Sequence, residues 1–148
     1  MFDRSRYASK LRAAKCILIA EDDVDDQLFI HDALIENGVR EEQIKFVNDG
    51  VELLEYLRFS EYPPSIILLD INMPRKGGKE VLKDIQEMPE YKLIPKVMLS
   101  TSDHEEDINE CFNLGVSTYL KKPHNVLSLK ESLNSLLSLF FGFSELPH

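Results

Sequence analysis

Apolar residues follow two alternating rhythms along this chain: short unbroken runs, and positions spaced three and four apart. The runs Cys16 to Ala20, Ile44 to Val47, Ser65 to Leu69, Lys96 to Leu99 and Thr118 to Leu120 predict strands, several of them buried on both faces. Between them lie helical spacings. Asp25 to Asn37 carries Leu28, Phe29, Leu34 and Ile35 and stops at Gly38; Gly50 to Phe59 carries Val51, Leu54 and Leu57 on one side. Pro63-Pro64 separates that helix from the next strand. Glu80 to Met88 turns Val81, Leu82 and Ile85 inward, and Ser102 with Glu105 has the spacing of a capping box opening a helix to Leu114. Asn125 is placed to cap a last helix that runs to about Phe141.

Five strand-then-helix pairs with short loops predict an α/β fold, a doubly wound five-stranded parallel sheet with five flanking helices on its two faces. The chain has 148 residues, 43% of them hydrophobic, enough for one core but not comfortably for two. We therefore expect one domain over residues 15–141, an N-terminal extension over 1–14 and a tail over 142–148. Arg4, Arg6, Lys10, Arg12 and Lys15 make the extension basic, which fits a solvated segment outside the core.

Composition narrows the function. A formal net charge of −9 argues against nucleic acid as a partner. No run approaches the ~18 apolar residues of a membrane span, and the N-terminus lacks an apolar signal core, so a cytoplasmic location is expected. Cys16 and Cys111 form no CxxC pattern, and His31, His104, His124 and His148 have no mutual metal-ligand spacing. All four histidines are expected at the surface.

In a parallel sheet every residue just past a strand's C-terminal end lies on one rim, and ligands bind there. Glu21, Asp22 and Asp23 follow the first strand, Asp70 the third, Ser100, Thr101 and Ser102 the fourth, and Lys121, Lys122 and Pro123 the fifth. Read alone, Asp70 is as consistent with a turn cap as with a site carboxylate. Within the set, carboxylates, hydroxyls and an ammonium converge. Carboxylates ~4 Å apart repel by ~4 kcal/mol per pair at an effective dielectric of ~20, so the nest calls for a cation. Oxygen ligands without His or Cys suit Mg²⁺, and a carboxylate beside Mg²⁺ can attack a phosphoryl group. Asp103, Glu105, Glu106 and Asp107 form a second acidic group, but acid in a helix's first turn complements the dipole and needs no ligand.

Four motifs in this order, Glu21-Asp22, the DINMP run around Asp70, VMLSTS and YLKKP, resemble the receiver domain of two-component response regulators from about Lys15 to Phe141. NMPRKGGKEVL and LSTSD look like the stand-alone regulators that pair with phytochrome-type and hybrid sensor kinases. The resemblance implies a flavodoxin-like strand order 2-1-3-4-5 and a phosphorylation switch driven by a sensor histidine kinase. It implies Asp70 as phosphoacceptor, Asp22 as a direct Mg²⁺ ligand, Glu21 as a second-sphere one, and the backbone carbonyl of Asn72 as a further ligand. Ser100 would bond the phosphoryl group, Lys122 would pair with it across a cis Lys122-Pro123 bond, and Tyr119 would be the aromatic switch. Asp23 and Lys121 receive no role. Glu21 stands where Asp is commoner and Ser100 where Thr is, which touches geometry and lifetime rather than function.

Two other classes compete. A Mg²⁺-dependent phosphohydrolase with an Asp nucleophile would want a second carboxylate two residues on, where Asn72 stands. A flavodoxin-like cofactor binder would want a phosphate loop after the first strand, where Glu21, Asp22 and Asp23 would repel phosphate. No effector is expected after the last helix, so output is expected through a downstream protein partner or by passing the phosphate on. On that helix Val126, Leu129, Leu133, Leu136, Leu137 and Phe140 form one stripe, and Leu127, Leu139, Phe141 and Phe143 fall outside it. The surplus predicts a homodimer contact with the edge near Tyr119.

Overall fold

The computed structural model describes residues 16–123 and 125–141, the side chain of Phe141 excepted. The expected basic extension, the tail with Phe143 and His148, and His124 lie outside the described residues.

Five strands form one parallel sheet: β1 (Ile17–Ala20), β2 (Ile44–Val47), β3 (Ile66–Leu69), β4 (Lys96–Ser100) and β5 (Thr118–Lys121), in the order β2-β1-β3-β4-β5. Between and after them run α1 (Val24–Glu36), α2 (Gly50–Phe59), α3 (Gly78–Gln86), α4 (Glu105–Asn113) and α5 (Val126–Phe141). The doubly wound α/β fold and its strand order are those expected. Every residue of β1, β3 and β4 is buried, which is why these strands read as continuous apolar runs instead of alternating ones.

Alternation along each strand sorts the core into two layers. Ile17, Ile19, Ile66, Leu68, Val97 and Leu99 pack on Ile30, Ala33 and Leu34 of α1 and on Leu129, Leu133, Leu136 and Leu137 of α5. Leu18, Ala20, Ile67, Leu69 and Met98 face Leu53, Leu54 and Leu57 of α2, Val81, Leu82 and Ile85 of α3, and Cys111 of α4. The inward face of α3 agrees with the helical wheel, and so does that of α5 from Leu129 to Phe140, but Val126 in its first turn is exposed because it lies beyond the residues that pack on the sheet. On α1, Leu28, Phe29 and Ile35 are exposed and Leu34 alone of the four spaced residues is buried, because Ile30 and Ala33 turn the packed face elsewhere.

The helix ends show local chemistry at work. Asp23 caps α1, its Oδ1 accepting from Asp26 N at 3.0 Å, so the residue without a role has a structural one. Asn125 caps α5 as expected, accepting from Ser128 N at 2.8 Å. The capping box at α4 does not form. His104 is the N-cap residue, and the Ser102 hydroxyl donates to Asp107 Oδ2 at 2.6 Å. Asp107 is engaged on its other side by Lys79 of α3, Nζ to Oδ1 2.5 Å, and this pair draws the Ser102 hydroxyl into the helix's first turn. His31 is half-buried and bonds Glu41 at 2.6 Å and Asp32 at 3.2 Å, which push its pKa up from the usual histidine value.

Candidate functional site

The common strand direction brings four buried polar residues to one rim: Glu21 after β1, Asp70 after β3, Ser100 closing β4 and Lys122 after β5. Lys122 is at their centre. Its Nζ donates to Glu21 Oε1, to Asp70 Oδ2 at 2.9 Å and to Asp26 Oδ2 at 2.9 Å, while its backbone N–H donates to Ser100 O at 2.7 Å. Glu21 and Lys122 are 101 residues apart in sequence and meet only because each follows a strand of the same sheet.

The electrostatics follow from burial. Loss of water pulls the Lys122 ammonium down, but the hydrogen bonds from Glu21, Asp26 and Asp70 outweigh it, and its pKa ends above the usual lysine range. Burial pushes the Glu21 carboxyl up, and Lys122 offsets only part of that rise. Both directions have one origin: three carboxylates share a single ammonium in a partly dry place.

The loop after β3 approaches Asp70 closely. Asn72 N donates to Asp70 Oδ1 at 3.2 Å, and Gly78 N donates to Ile71 O at 3.0 Å. A Cβ at Gly78 would run into the Asp70 backbone carbonyl, so only glycine lets α3 start this near the end of β3. On β4, the Ser100 side chain is fully buried and its Oγ accepts from Ser102 N at 3.3 Å. Tyr119 is half-buried on the α2–α4 side, and its hydroxyl donates to Ser102 O at 2.7 Å. It is therefore joined to the Ser100 segment through the backbone two residues on.

Of the residues expected at the site, Glu21, Asp70 and Lys122 touch directly, Ser100 and Asn72 border them, and Tyr119 connects through Ser102. Asp22 stands apart, exposed at the lip of the site. Asp26 was not anticipated. An acidic residue in a helix's first turn reads as a dipole complement, yet here it is Lys122's third partner. Its signal was the spacing: Asp26 lies three residues past the cap Asp23, so the first turn of α1 returns it to the rim. Lys121 also acquires a partner, Asp103, at 3.0 Å. The Lys122-Pro123 bond is trans, not cis as expected. The two isomers of such a tertiary amide lie within about 1 kcal/mol, so packing around the loop decides between them and the KP motif cannot.

Among the described residues no group of three or more His, Cys, Asp or Glu side chains is arranged to hold a metal ion, since Lys122 takes the central place. The donor chemistry nevertheless suits Mg²⁺. Glu21, Asp22, Asp26 and Asp70 outnumber the one ammonium, all are oxygen donors, and three of them share Lys122 as their contact.

Beside Lys122, a cavity of about 460 Å³ opens between α1 and the segment leading into α5, lined by Asp26, Phe29, Thr101, Pro123 and Val126 among others.

Comparison with known proteins agrees with this arrangement. Residues 17–134 match the response regulator receiver domain. Response regulator Rcp1 of Synechocystis sp. is 33% identical over 138 residues, which cover 90% of this chain and 93% of Rcp1. The phosphorylated cyanobacterial phytochrome response regulator RcpA superposes with a TM-score of 0.80 at 35% identity, over 90% of this chain and 99% of RcpA. The Mn²⁺-bound form of Rcp1 gives 0.76 at 30%, over 90% and 97%. A rim of strand-end carboxylates around one lysine, a 2-1-3-4-5 sheet and a match over most of the length lead to one conclusion: this chain belongs to the response regulator receiver domain family.

Proposed function

We propose that residues 15–141 act as a single-domain phosphorylation switch, in which Asp70 accepts a phosphoryl group from the phosphohistidine of a sensor histidine kinase, of the phytochrome-type or hybrid class. The observation that carries this reading is the contact of Lys122 Nζ with Asp70 Oδ2 at 2.9 Å inside a buried carboxylate cluster. An Asp70 oxygen attacks phosphorus, the P–O bond forms as the P–N bond breaks, and the electron pair leaves with the donor imidazole. Lys122 then pairs with a phosphoryl oxygen, and the Ser100 hydroxyl donates to another. Movement of Ser100 toward phosphate would be felt by Tyr119 through Ser102, and the exposed surface would change for a downstream protein.

Glu21, Asp22, Asp70 and the Asn72 carbonyl would hold Mg²⁺. When bound, that ion would neutralise charge on the phosphoryl oxygens during transfer. Incubation with acetyl phosphate and Mg²⁺ tests the reading. A stoichiometric, acid-stable and base-labile adduct is expected; sustained phosphate release would point to a phosphohydrolase instead, and no reaction would dismiss both.

Cation binding should also appear as stability. At ten times its Kd, Mg²⁺ is expected to stabilise the fold by about 1.4 kcal/mol. Asp22→Ala is expected to remove that increment, read as the shift of the melting temperature with Mg²⁺. Equal shifts in the two proteins would place the ion elsewhere.

Assembly as a homodimer through the α4–β5–α5 face is part of the proposal. Leu139 is 75% exposed and Leu127 64%, and Phe112 of α4 is exposed as well; Phe143 and the Phe141 side chain lie outside the described residues. A two-fold contact uses one patch twice, so Leu139→Glu would set two like charges close together and is expected to shift the sedimentation coefficient from dimer to monomer. A wild type that sediments as a monomer, with and without acetyl phosphate, would rule this contact out.

A further inference from the structure

The loop between β3 and α3 is held in a strained conformation by residues outside the charge cluster. Lys76 N donates to Pro74 O at 2.6 Å across Arg75, whose φ is 62°. A hydrogen bond closed around one residue of positive φ is the strained form of γ-turn, and Arg75 is the only non-glycine residue with positive φ among the described residues. Such a turn persists only where its surroundings over-determine it. They do so from the neighbouring β2–α2 connection. Arg75 Nε donates to Asp49 Oδ2 at 2.8 Å and Nη2 to Oδ1 at 3.2 Å, a two-pronged grip on a carboxylate that is itself buried and caps α2 by accepting from Glu52 N at 2.9 Å. Next to it, Gly50 N donates to Lys76 O at 2.9 Å, and a Cβ on Gly50 would come within 2.5 Å of that carbonyl. Lys76 Nζ pairs with Asp84 of α3. The turn is thus pinned on both sides, three residues beyond Asn72.

We propose that Arg75 is a positioning residue for the cation site: its grip on Asp49 holds the β3–α3 loop that carries Asn72, whose backbone N–H donates to Asp70 Oδ1 and whose carbonyl is among the ligands proposed above. This rests on the Mg²⁺ ligands proposed above. A simple charge effect predicts opposite signs for the two partners, since removing the positive Arg75 would tighten a divalent cation and removing the negative Asp49 would loosen it. Positioning predicts that both changes weaken binding. Asp49→Asn keeps an effective helix cap, so loss of the α2 N-terminus does not confuse the result.

The experiment titrates Mn²⁺ into wild type, Arg75→Gln, Arg75→Lys, Asp49→Asn and the double variant Arg75→Gln/Asp49→Asn, reading free Mn²⁺ by electron paramagnetic resonance. Metal-free melting curves are recorded alongside. Arg75→Gln and Asp49→Asn are each expected to weaken Mn²⁺ binding roughly tenfold, as supporting residues around metal ligands do. The double variant is expected to be no weaker than either single one, because the two side chains form one contact. Arg75→Lys, which keeps the charge and loses the fork, is expected to fall between. If Arg75→Gln fails to fold, Arg75→Lys and Asp49→Asn carry the comparison. Arg75→Gln binding as tightly as wild type, or tighter, overturns the positioning role and leaves the proposed function standing. A wild type that binds no Mn²⁺ overturns the role and the proposed ligand set together.

Discussion

Asp70→Asn is expected to take up no phosphoryl group from acetyl phosphate or a kinase, a loss on the order of a thousandfold or more, because an amide oxygen cannot replace the attacking carboxylate. The fold should survive. Asn has the same shape, its carbonyl oxygen can still accept from Asn72 N, and Lys122 keeps Glu21 and Asp26 as partners. Asp70 also sits where its replacement disturbs least, at the end of β3 and not within its apolar run. Intact-mass measurement before and after alkaline hydrolysis reads the adduct. Uptake at the wild-type rate by the variant would show that another residue is the acceptor.

Lys122→Met is expected to be the most destabilising change at the rim when no divalent cation is present. It leaves Glu21, Asp26 and Asp70 facing one another without the ammonium that all three contact. Removing one partner of a buried ion pair typically costs about 3–5 kcal/mol, and Met fills much of the lysine stem's volume, so the loss is mainly electrostatic. Two recoveries distinguish this origin from a packing defect. Mg²⁺ should restore more stability in the variant than it adds to wild type, since the ion replaces the missing charge. Acid should help as well. Burial already raises the Glu21 pKa above its value in an unfolded chain, and loss of Lys122 removes what opposed the rise. The folded state then binds a proton that the unfolded state does not, so the variant's stability grows as pH falls through the raised folded pKa toward the ordinary glutamate value of 4.5. Denaturant unfolding at several pH values, with and without Mg²⁺, measures both. A variant as stable as wild type at neutral pH without metal would mean that Lys122 does not hold the cluster together.

Much of the site was legible because its geometry is a consequence of topology. Once five strand-helix pairs imply a parallel sheet, strand-end residues share a rim whatever their separation in sequence, and Glu21, Asp70, Ser100 and Lys122 follow without knowledge of any side-chain angle. The strands were equally plain: Ile44 to Val47 agrees at both ends, and Ile66 to Leu69 differs from expectation only by the loss of Ser65. In β1, β3 and β4 burial on both faces forces continuous apolar runs, which do not depend on packing detail, while β2 at the sheet edge leaves Lys45 exposed.

What the sequence left open depends on how one element is rotated or tied to another. The rotation of α1 about its axis exposes Leu28 and Phe29 and returns Asp26 to Lys122, and that rotation is decided by the fit of Ile30, Ala33 and Leu34 against the sheet. Ser102 and Glu105 have the spacing of a capping box, but Lys79 on another helix fixes Asp107 and thereby gives the Ser102 hydroxyl a different partner. The Lys122-Pro123 isomer, so nearly balanced in energy, is settled by its surroundings. Arg75 and Asp49 are 26 residues apart in the chain, and the NMPRKGGKEVL run that contains Arg75 does not point to Asp49 as its partner. The sequence by itself therefore determined the strands, their common direction and the chemistry collected at their ends, because those rest on local apolar pattern and chain direction. Tertiary structure alone decided which neighbouring helix and loop residues complete that site, because hydrogen bonds and ion pairs between elements depend on packing distances that no local pattern encodes.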